Sequence, residues 1–300
     1  MKYYFLLLLF FSQLSLANCE QASESCVPVG EWQFSLSLGA GVYTNPLNGG
    51  DNIPLILIPK ISYYGENVFF ENNTLGYSFF ETDAVIVSAI TQLNHENAFF
   101  NRWHPQNIIL GSTTSSSIAD SGNMNSDNQE PLENQTPNMS PDKTEVSLDD
   151  IPKKRWAIDS GIQVNWFIDQ FTDVQLQILH DINGVYNGFN GQLQFTQNFK
   201  FDSLINTTPS YSFGASVNSK NLVDYFYGFS DKNSDLPEQS YQGKLSINPY
   251  FRFTLVHKFS SKWSAQLHIK RIFLNKATTD SPLVNSNKVD TVFMGVTYDF

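Results

Sequence analysis

The chain has 300 residues, 41% hydrophobic and 14% aromatic, with a formal net charge of −11 and a mean hydropathy of −0.25. Acidity of this kind argues against nucleic acid or an anionic membrane surface as partner. Beyond the N-terminus no apolar run reaches the ~20 residues a spanning helix needs, although strands that cross a membrane hide from hydropathy because half of each faces a lumen.

Met1 and Lys2 precede the apolar run from Tyr3 to Phe11, which continues through Leu14 and Leu16 to the small-residue site Ser15-Leu16-Ala17. That is the plan of a secretory signal peptide over residues 1–17, cleaved after Ala17; an uncleaved anchor is the alternative. Asn18 is not the small residue a lipoprotein would need before Cys19. Residues 18–30 then read as a periplasmic tail carrying both cysteines, Cys19 and Cys26. Their spacing fits no metal site, so a disulfide closing a small loop is expected in an oxidising compartment.

From Trp32 to Val42 apolar residues recur at every second position, opposite a face of Gln, Ser and Gly, which marks a first β-strand. Leu55 to Tyr63 reads as the second, with Pro59 suggesting a bulge. Val68 to Glu71 and Thr74 to Phe80 form a short hairpin about Asn72-Asn73, and Ala84 to Leu93 makes a fifth strand with either face eligible for lipid. The segment 111–150 is rich in Ser, Asn, Asp, Pro and Gly, and is expected to be a disordered extracellular insertion.

Period two resumes at Trp156 to Ile168, whose two Trp lie ten residues apart. At ~3.3 Å per residue and a tilt of ~40°, that spans the ~25 Å apolar band of an outer-membrane barrel. Further strands are expected at Thr172 to Ile182, Gly191 to Phe201, Tyr211 to Val217, Gly243 to Lys258 with a bulge at Pro249, and Trp263 to Phe273. The last, Val289 to Phe300, alternates to a terminal Phe; in water it would be a sticky edge, but in a barrel it pairs with the first strand.

The expected fold is all-β: a transmembrane antiparallel up-and-down β-barrel over residues 31–300, of about twelve strands with ten as the alternative. Short turns fall on the periplasmic side and long loops outside. Trp32, Trp156, Trp166, Trp263, Tyr298 and Phe300 are the expected aromatic girdle. Asp159, Asp173, Asp181, Lys200, Lys244, Arg252, His268 and Lys270 take the inward phase, and their mixed signs suggest a lumen plugged by ion pairs. Arg271 falls outward, near the outer end of its strand, where a charge costs little.

Several stretches resemble the MipA/OmpV family of outer-membrane proteins. They are Asn67 to Phe80 (NVFFENNTLGYSFF), Phe99 to Ile108 (FFNRWHPQNI), Leu179 to Gly191 (LHDINGVYNGFNG), Tyr225 to Gly228 (YFYG), Asp280 to Val284 (DSPLV) and the Tyr298 to Phe300 ending. Where the family commonly has a Ser-Asp-Val-Ser-Gly-like run, this chain has His180-Asp181-Ile182-Asn183-Gly184. The resemblance implies a non-enzymatic, cofactor-free scaffold in the outer membrane of a Gram-negative bacterium, linking a lytic murein transglycosylase to a murein synthase. Other members are described as adhesion or stress-related proteins. Contacts with periplasmic enzymes would fall on the tail and the short turns. Outer-membrane lipid, lipopolysaccharide and the barrel-assembly machinery, through the C-terminal strand, are the other expected partners.

Two further readings stand beside the scaffold. One is a narrow channel for small solutes lined by the inward charges. The other is an outer-membrane hydrolase: His180, His257, His268, Asp173, Asp181 and Ser264 supply the residue types, but no spacing sets a nucleophile beside a base. His95 and His104, in the loop after the fifth strand, are expected to be surface groups rather than ligands.

Overall fold

The computed structural model of the chain describes residues 29–108, 146–201, 206–229 and 240–300. Period two becomes strand almost wherever the sequence carries it. The strands are β1 (Trp32–Tyr43), β2 (Ile53–Pro54), β3 (Leu57–Tyr64), β4 (Val68–Glu71), β5 (Thr74–Glu81), β6 (Val85–Leu93), β7 (Ile158–Phe167), β8 (Thr172–Asp181), β9 (Phe189–Asn198), β10 (Thr207–Asn218), β11 (Ser246–Lys258), β12 (Trp263–Phe273) and β13 (Lys288–Asp299). Neighbours in sequence pair antiparallel, except that β3 pairs with β1 rather than with β2, and β13 returns to β1 from Ser35↔Asp299 to Tyr43↔Thr291. The sheet is therefore a closed barrel with no free edge. β2 continues β3 along the same partner, so the wall has twelve strands.

The bulges lie elsewhere than the prolines suggest. The register of β1 with β3 runs unbroken through Pro59, and that of β10 with β11 through Pro249. Ile61, two residues after Pro59, exchanges hydrogen bonds with Asn72 at the tip of the short β4–β5 hairpin. Pro59 presents its nitrogen on the same edge but beyond that tip, where no strand needs a donor. The irregularities sit at Leu55-Ile56, which separates β2 from β3, and at Phe79, where the β5–β6 register shifts and both Phe79 and Phe80 turn outward.

The outer surface is apolar. Leu38, Leu75, Tyr77, Ile162, Leu176, Ile178, Leu193, Phe213 and Met294 are exposed, while their sequence neighbours face a polar interior. The ambiguous β6 is settled: Ser88, Ile90 and Gln92 are buried within, leaving Val85, Val87 and Ala89 outside. With a closed barrel of this polarity, lipid solvates the outside and every backbone group is paired, which is the outer-membrane solution.

Phe293 breaks the polar-inside rule. It points inward, fully buried, with Leu55 and Ile58 around it. Its ring has room because Gly295 stands beside it: a Cβ there would meet the ring at 2.7 Å and the Leu38 carbonyl oxygen across the seam at 2.6 Å. A side chain at Gly295 would therefore wedge the β1–β13 closure apart.

At the end of the barrel opposite the short turns, the long connections fold into a cap with an ordinary hydrophobic core. Leu47, Val146, Val185, Leu222, Phe226, Tyr227, Leu283 and Val284 are all buried there. Its centre is helix α3 (Lys220–Tyr227); α1 (Asn97–Phe100), α2 (Pro105–Ile108) and α4 (Lys276–Thr279) are single turns. Ser219 caps α3 by accepting from the Leu222 amide, and Leu222, Val223, Phe226 and Tyr227 fall on one face.

The cap corrects one boundary. Residues 146–150, assigned to the insertion, are packed: the Val146 amide donates to the Pro282 carbonyl at 3.2 Å and that of Leu148 to the Asn48 carbonyl at 2.9 Å. Val146 is 2% exposed. An isolated Val and Leu close to the next strand were enough to recruit this end into the core. Residues 111–145 lie outside the described residues, as do the proposed signal segment and nearly all the tail.

Candidate functional site

Three places in the barrel carry polar chemistry: the rim of short turns, the middle of the lumen, and a cavity between lumen and cap. At the rim, Trp32 stacks near Phe34, Tyr63 and Phe70, and Trp263 lies 4.8 Å from Tyr298, itself 5.0 Å from Phe300. Trp166 belongs to this end as well, one residue before the close of β7. Trp156 stands at the opposite mouth, 5.3 Å from the His104 ring. Cys19 and Cys26 lie outside the described residues.

The turns of the rim are acidic from β3 to β8. Glu66, Glu81, Asp83 and Asp169 are exposed there, whereas Lys258 and Lys262 flank the β11–β12 turn. Asp169 accepts from the Phe171 amide at 2.7 Å and the Thr172 hydroxyl at 3.0 Å. These bonds, the backbone one foremost, hold its carboxyl below the usual carboxylate range. The turn thus keeps its charge at the membrane surface.

Ion pairs do not fill the lumen. Those found among the described residues are Lys60–Glu71, Arg102–Asp51 and Arg271–Asp290. The last is bidentate, at 2.6 and 2.9 Å, and neutralises the outward Arg271 near the outer end of β12. The interior is instead bonded through neutral groups: Gln177 to Gln163 at 2.7 Å, Ser78 to Ser88 at 2.9 Å, and the Tyr250 hydroxyl to Gln194 at 2.9 Å. Arg252 also donates to Gln194. Gln194, Thr196 and Ser88 have no exposed surface and Gln175 only 1%, so the inner faces of β8 and β9 are covered by neighbouring side chains, whereas Gln266, His268 and Lys270 on β12 keep some surface.

The inward charges divide accordingly. Asp159, Asp173, Asp181 and Arg252 are buried within, and His268 and Lys270 line the cavity. Lys200 and Lys244 lie outside the strands and are exposed, because β9 ends at Asn198 and β11 begins only at Ser246. Asp159 and Asp181 face each other in register, yet each is satisfied separately. Asp159 accepts from Asn94, Tyr186 and Asn190 at 2.6–2.7 Å. Asp181 accepts the backbone amides of Asn183, Tyr186 and Asn187 at 3.1, 2.6 and 2.8 Å. Asn183 in turn pairs its amide with the Ile158 N–H and the Trp156 carbonyl. The run from His180 to Gly184 is thus the frame of the β8–β9 loop.

The residue types suited to hydrolysis are scattered. His180 faces outward against the Phe189 ring, His257 bonds Thr207, and His268 bonds Thr254. Of the two loop histidines, His104 is buried in the cap, against expectation, and burial pushes it down to about 4. His95 is exposed, as expected, and its side chain lines the cavity.

The cavity measures about 130 Å³. It is lined by the apolar Leu55, Phe99 and Ile272 and by polar groups that include His95, Gln177, Gln192, His268 and Lys270. Its roof is pinned by Glu96, whose carboxylate accepts from Asn218 at 2.8 Å and from the Tyr227 hydroxyl at the end of α3. Burial raises the Glu96 carboxyl and the Tyr227 phenol alike, although the hydrogen bonds partly restrain the former. Lys154 adds a second clasp, reaching the Tyr225 carbonyl at 2.6 Å across the Phe100 and Tyr225 rings. Nothing in the strand pattern signals this site, since its roof comes from loops; the spacing of Leu222, Val223, Phe226 and Tyr227 behind Ser219 was the available clue.

Four of the stretches that carry the family resemblance meet in this cap: Phe99 with His104, Val185 with Tyr186, Phe226 with Tyr227, and Leu283 with Val284 are all buried there or beside it. The family described as MltA-interacting protein MipA matches residues 38–300. The MltA-interacting proteins of Escherichia coli (strain K12) and Shigella flexneri are each 24% identical over 280 residues, covering 93% of this chain and 95% of theirs. Among solved structures, the COG4313 outer membrane channel from Pseudomonas putida F1 gives a TM-score of 0.43 at 10% identity, over 93% of this chain and 99% of that one. The outer membrane protein OprD from Pseudomonas aeruginosa gives 0.33 at 10%, over 89% and 65%. Likenesses of this size add nothing to the barrel already read from the strand pairing. With residues 38–300 matched by the family, the chain, an outer-membrane β-barrel, belongs to the MltA-interacting protein MipA family.

Proposed function

We propose that the protein is a non-enzymatic scaffold that holds a periplasmic murein-processing enzyme at the outer membrane, a lytic transglycosylase first and a murein synthase second. The relatives' name, MltA-interacting protein, supplies the partner class. The observation that carries the reading is the inner face of β8 and β9: with Gln175, Gln194 and Thr196 buried against neighbouring side chains rather than lining an open passage, the surfaces are left as the working parts. Of these, the short-turn rim and the segment 18–30 before β1 are the parts an enzyme in the periplasm would meet. Glu66, Glu81, Asp83 and Asp169 suit a basic face on that enzyme, where rim charges set the rate of encounter and its salt dependence.

Retention of a tagged lytic transglycosylase on the immobilised barrel tests this. The combined E66K, E81K, D83K and D169K variant and a chain lacking residues 18–30 are each compared with the full chain at low salt. A loss of tenfold or more in either supports the scaffold, and unchanged retention in both overturns the placement. Planar-bilayer recordings address the narrow-channel alternative: a plugged scaffold gives no reproducible steps, and regular steps favour the channel.

A further inference from the structure

Among the groups that line the cavity under the cap, the Lys270 ammonium is one that the surrounding protein does not satisfy. Among the described residues the Lys270 ammonium has no carboxylate within ion-pair distance and no hydrogen-bond acceptor; its contact is the face of the Tyr250 ring, 4.8 Å away. A cation withdrawn from bulk water without a counter-charge is costly, and such groups are found paired or ligated. The carboxylate that shares the cavity, Glu96, spends its oxygens on Asn218 and Tyr227, both neutral donors. The cation therefore faces a space lined by polar side chains, Asn94, Gln177, Asn190, Gln192 and His268 among them, together with the apolar Leu55, Phe99 and Ile272.

We infer that this cavity binds a small organic monocarboxylate, its acid group on Lys270 and its apolar body against Leu55, Phe99 and Ile272. The size agrees. A water occupies roughly 10–15 Å³ by this measure, so about 130 Å³ accommodates on the order of ten non-hydrogen atoms. Small-molecule sites use apolar contacts for the body of a ligand and a few placed polar groups to fix its orientation, and here Leu55, Phe99 and Ile272 supply the first and Lys270 the second. Glu96 sets the limit on the ligand: a second acidic group directed at the roof would meet its carboxylate, which favours monoacids over diacids. Because the ligand would touch β12 through Lys270 and the cap through Phe99, its binding would also tie the cap to the wall.

The test uses the full chain refolded in detergent micelles, with benzoate as probe, its neutral isostere benzamide as control, and phthalate as the diacid. Thermal unfolding, followed by heat-modifiable migration, should rise saturably with benzoate. Benzamide and phthalate should leave it unchanged, and Lys270→Met should abolish the rise. No benzoate-specific rise in the wild type, or an equal rise in Lys270→Met, overturns the assignment. A second measurement needs no variant: reductive methylation of wild-type lysines, read by peptide mass, should be at least tenfold slower at Lys270 with benzoate present. The rates at Lys276 and Lys288, on the outer loop, should not change. Equal rates at Lys270 with and without benzoate count against the site even if the variant fails to fold.

Discussion

The wall of the barrel and the cap over its outer mouth are built by opposite rules. In the wall, Leu176, Ile178 and Leu193 point out while Gln175, Gln177 and Gln194 point in. In the cap, Leu222, Phe226 and Leu283 are sealed inside, as in a protein made for water. The first arrangement depends on lipid as solvent, with strand pairing and closure holding it together. The second depends on the hydrophobic effect of water. One chain thus contains two units with different solvents, and they should fail separately.

The largest effect should come from the centre of the cap. Phe226→Ala removes a fully buried ring, a change that typically costs ~3–5 kcal/mol. Hydrogen exchange should show the amides of α3 and of residues 281–284 opening a hundredfold or more often, with the strands of the wall still protected and heat-modifiable migration intact. Loss of protection everywhere would mean that cap and wall are one unit. The next effect belongs to the wall: Leu176→Arg, facing lipid in mid-strand, should cost ~2–4 kcal/mol in guanidinium unfolding from vesicles and leave the cap's exchange unchanged.

Protons should act on the cap below either substitution in size. His104 is lowered to about 4 in the folded cap, against 6.5 when exposed, so an opened cap takes up a proton that the closed one refuses. Stability contributed by its neutral form is present above pH 6.5 and is lost as pH falls from there toward about 4. Glu96 works the other way. Its carboxyl is raised when buried, so its protonation favours the closed cap as pH falls toward the ordinary value of 4.5. Exchange in α3 should therefore quicken on acidification, and more steeply in Glu96→Gln; a flat profile would contradict the burial of His104.

The smallest effect is local. Asn72 holds φ at 53° in the β4–β5 turn and accepts the Ile61 amide at 3.0 Å. Asn72→Ala should cost ~1–2 kcal/mol for the left-handed conformation, and Asn72→Gly less, both measured by unfolding from vesicles.

The wall was legible because its rule is local. Alternation at every second residue states the strand and its lipid face together, so Trp32, Ile162 and Met294 could be assigned without a partner in view. The cap was not, because its apolar residues serve contacts between loops distant in sequence. Val146 and Leu148 look like strays in a polar stretch until Pro282 and Asn48 are placed beside them. Asp181 looks like a lumen charge until the amides it gathers are seen. Lys200 and Lys244 kept the inward phase on paper but lie beyond the strand ends, where phase has no meaning. Pro59 and Pro249 misled for a similar reason: whether a proline disturbs a strand depends on its neighbour, and for Pro59 that neighbour has already ended.

The central claim, a barrel with lipid outside and a polar interior, is tested most directly by quenching. Single-cysteine variants at positions 175, 176, 177 and 178, each bearing a bimane label, are inserted in vesicles whose acyl chains carry bromine. Labels at 176 and 178 should be strongly quenched, and those at 175 and 177 scarcely affected. Equal quenching along the strand, or the reverse alternation, would contradict the account.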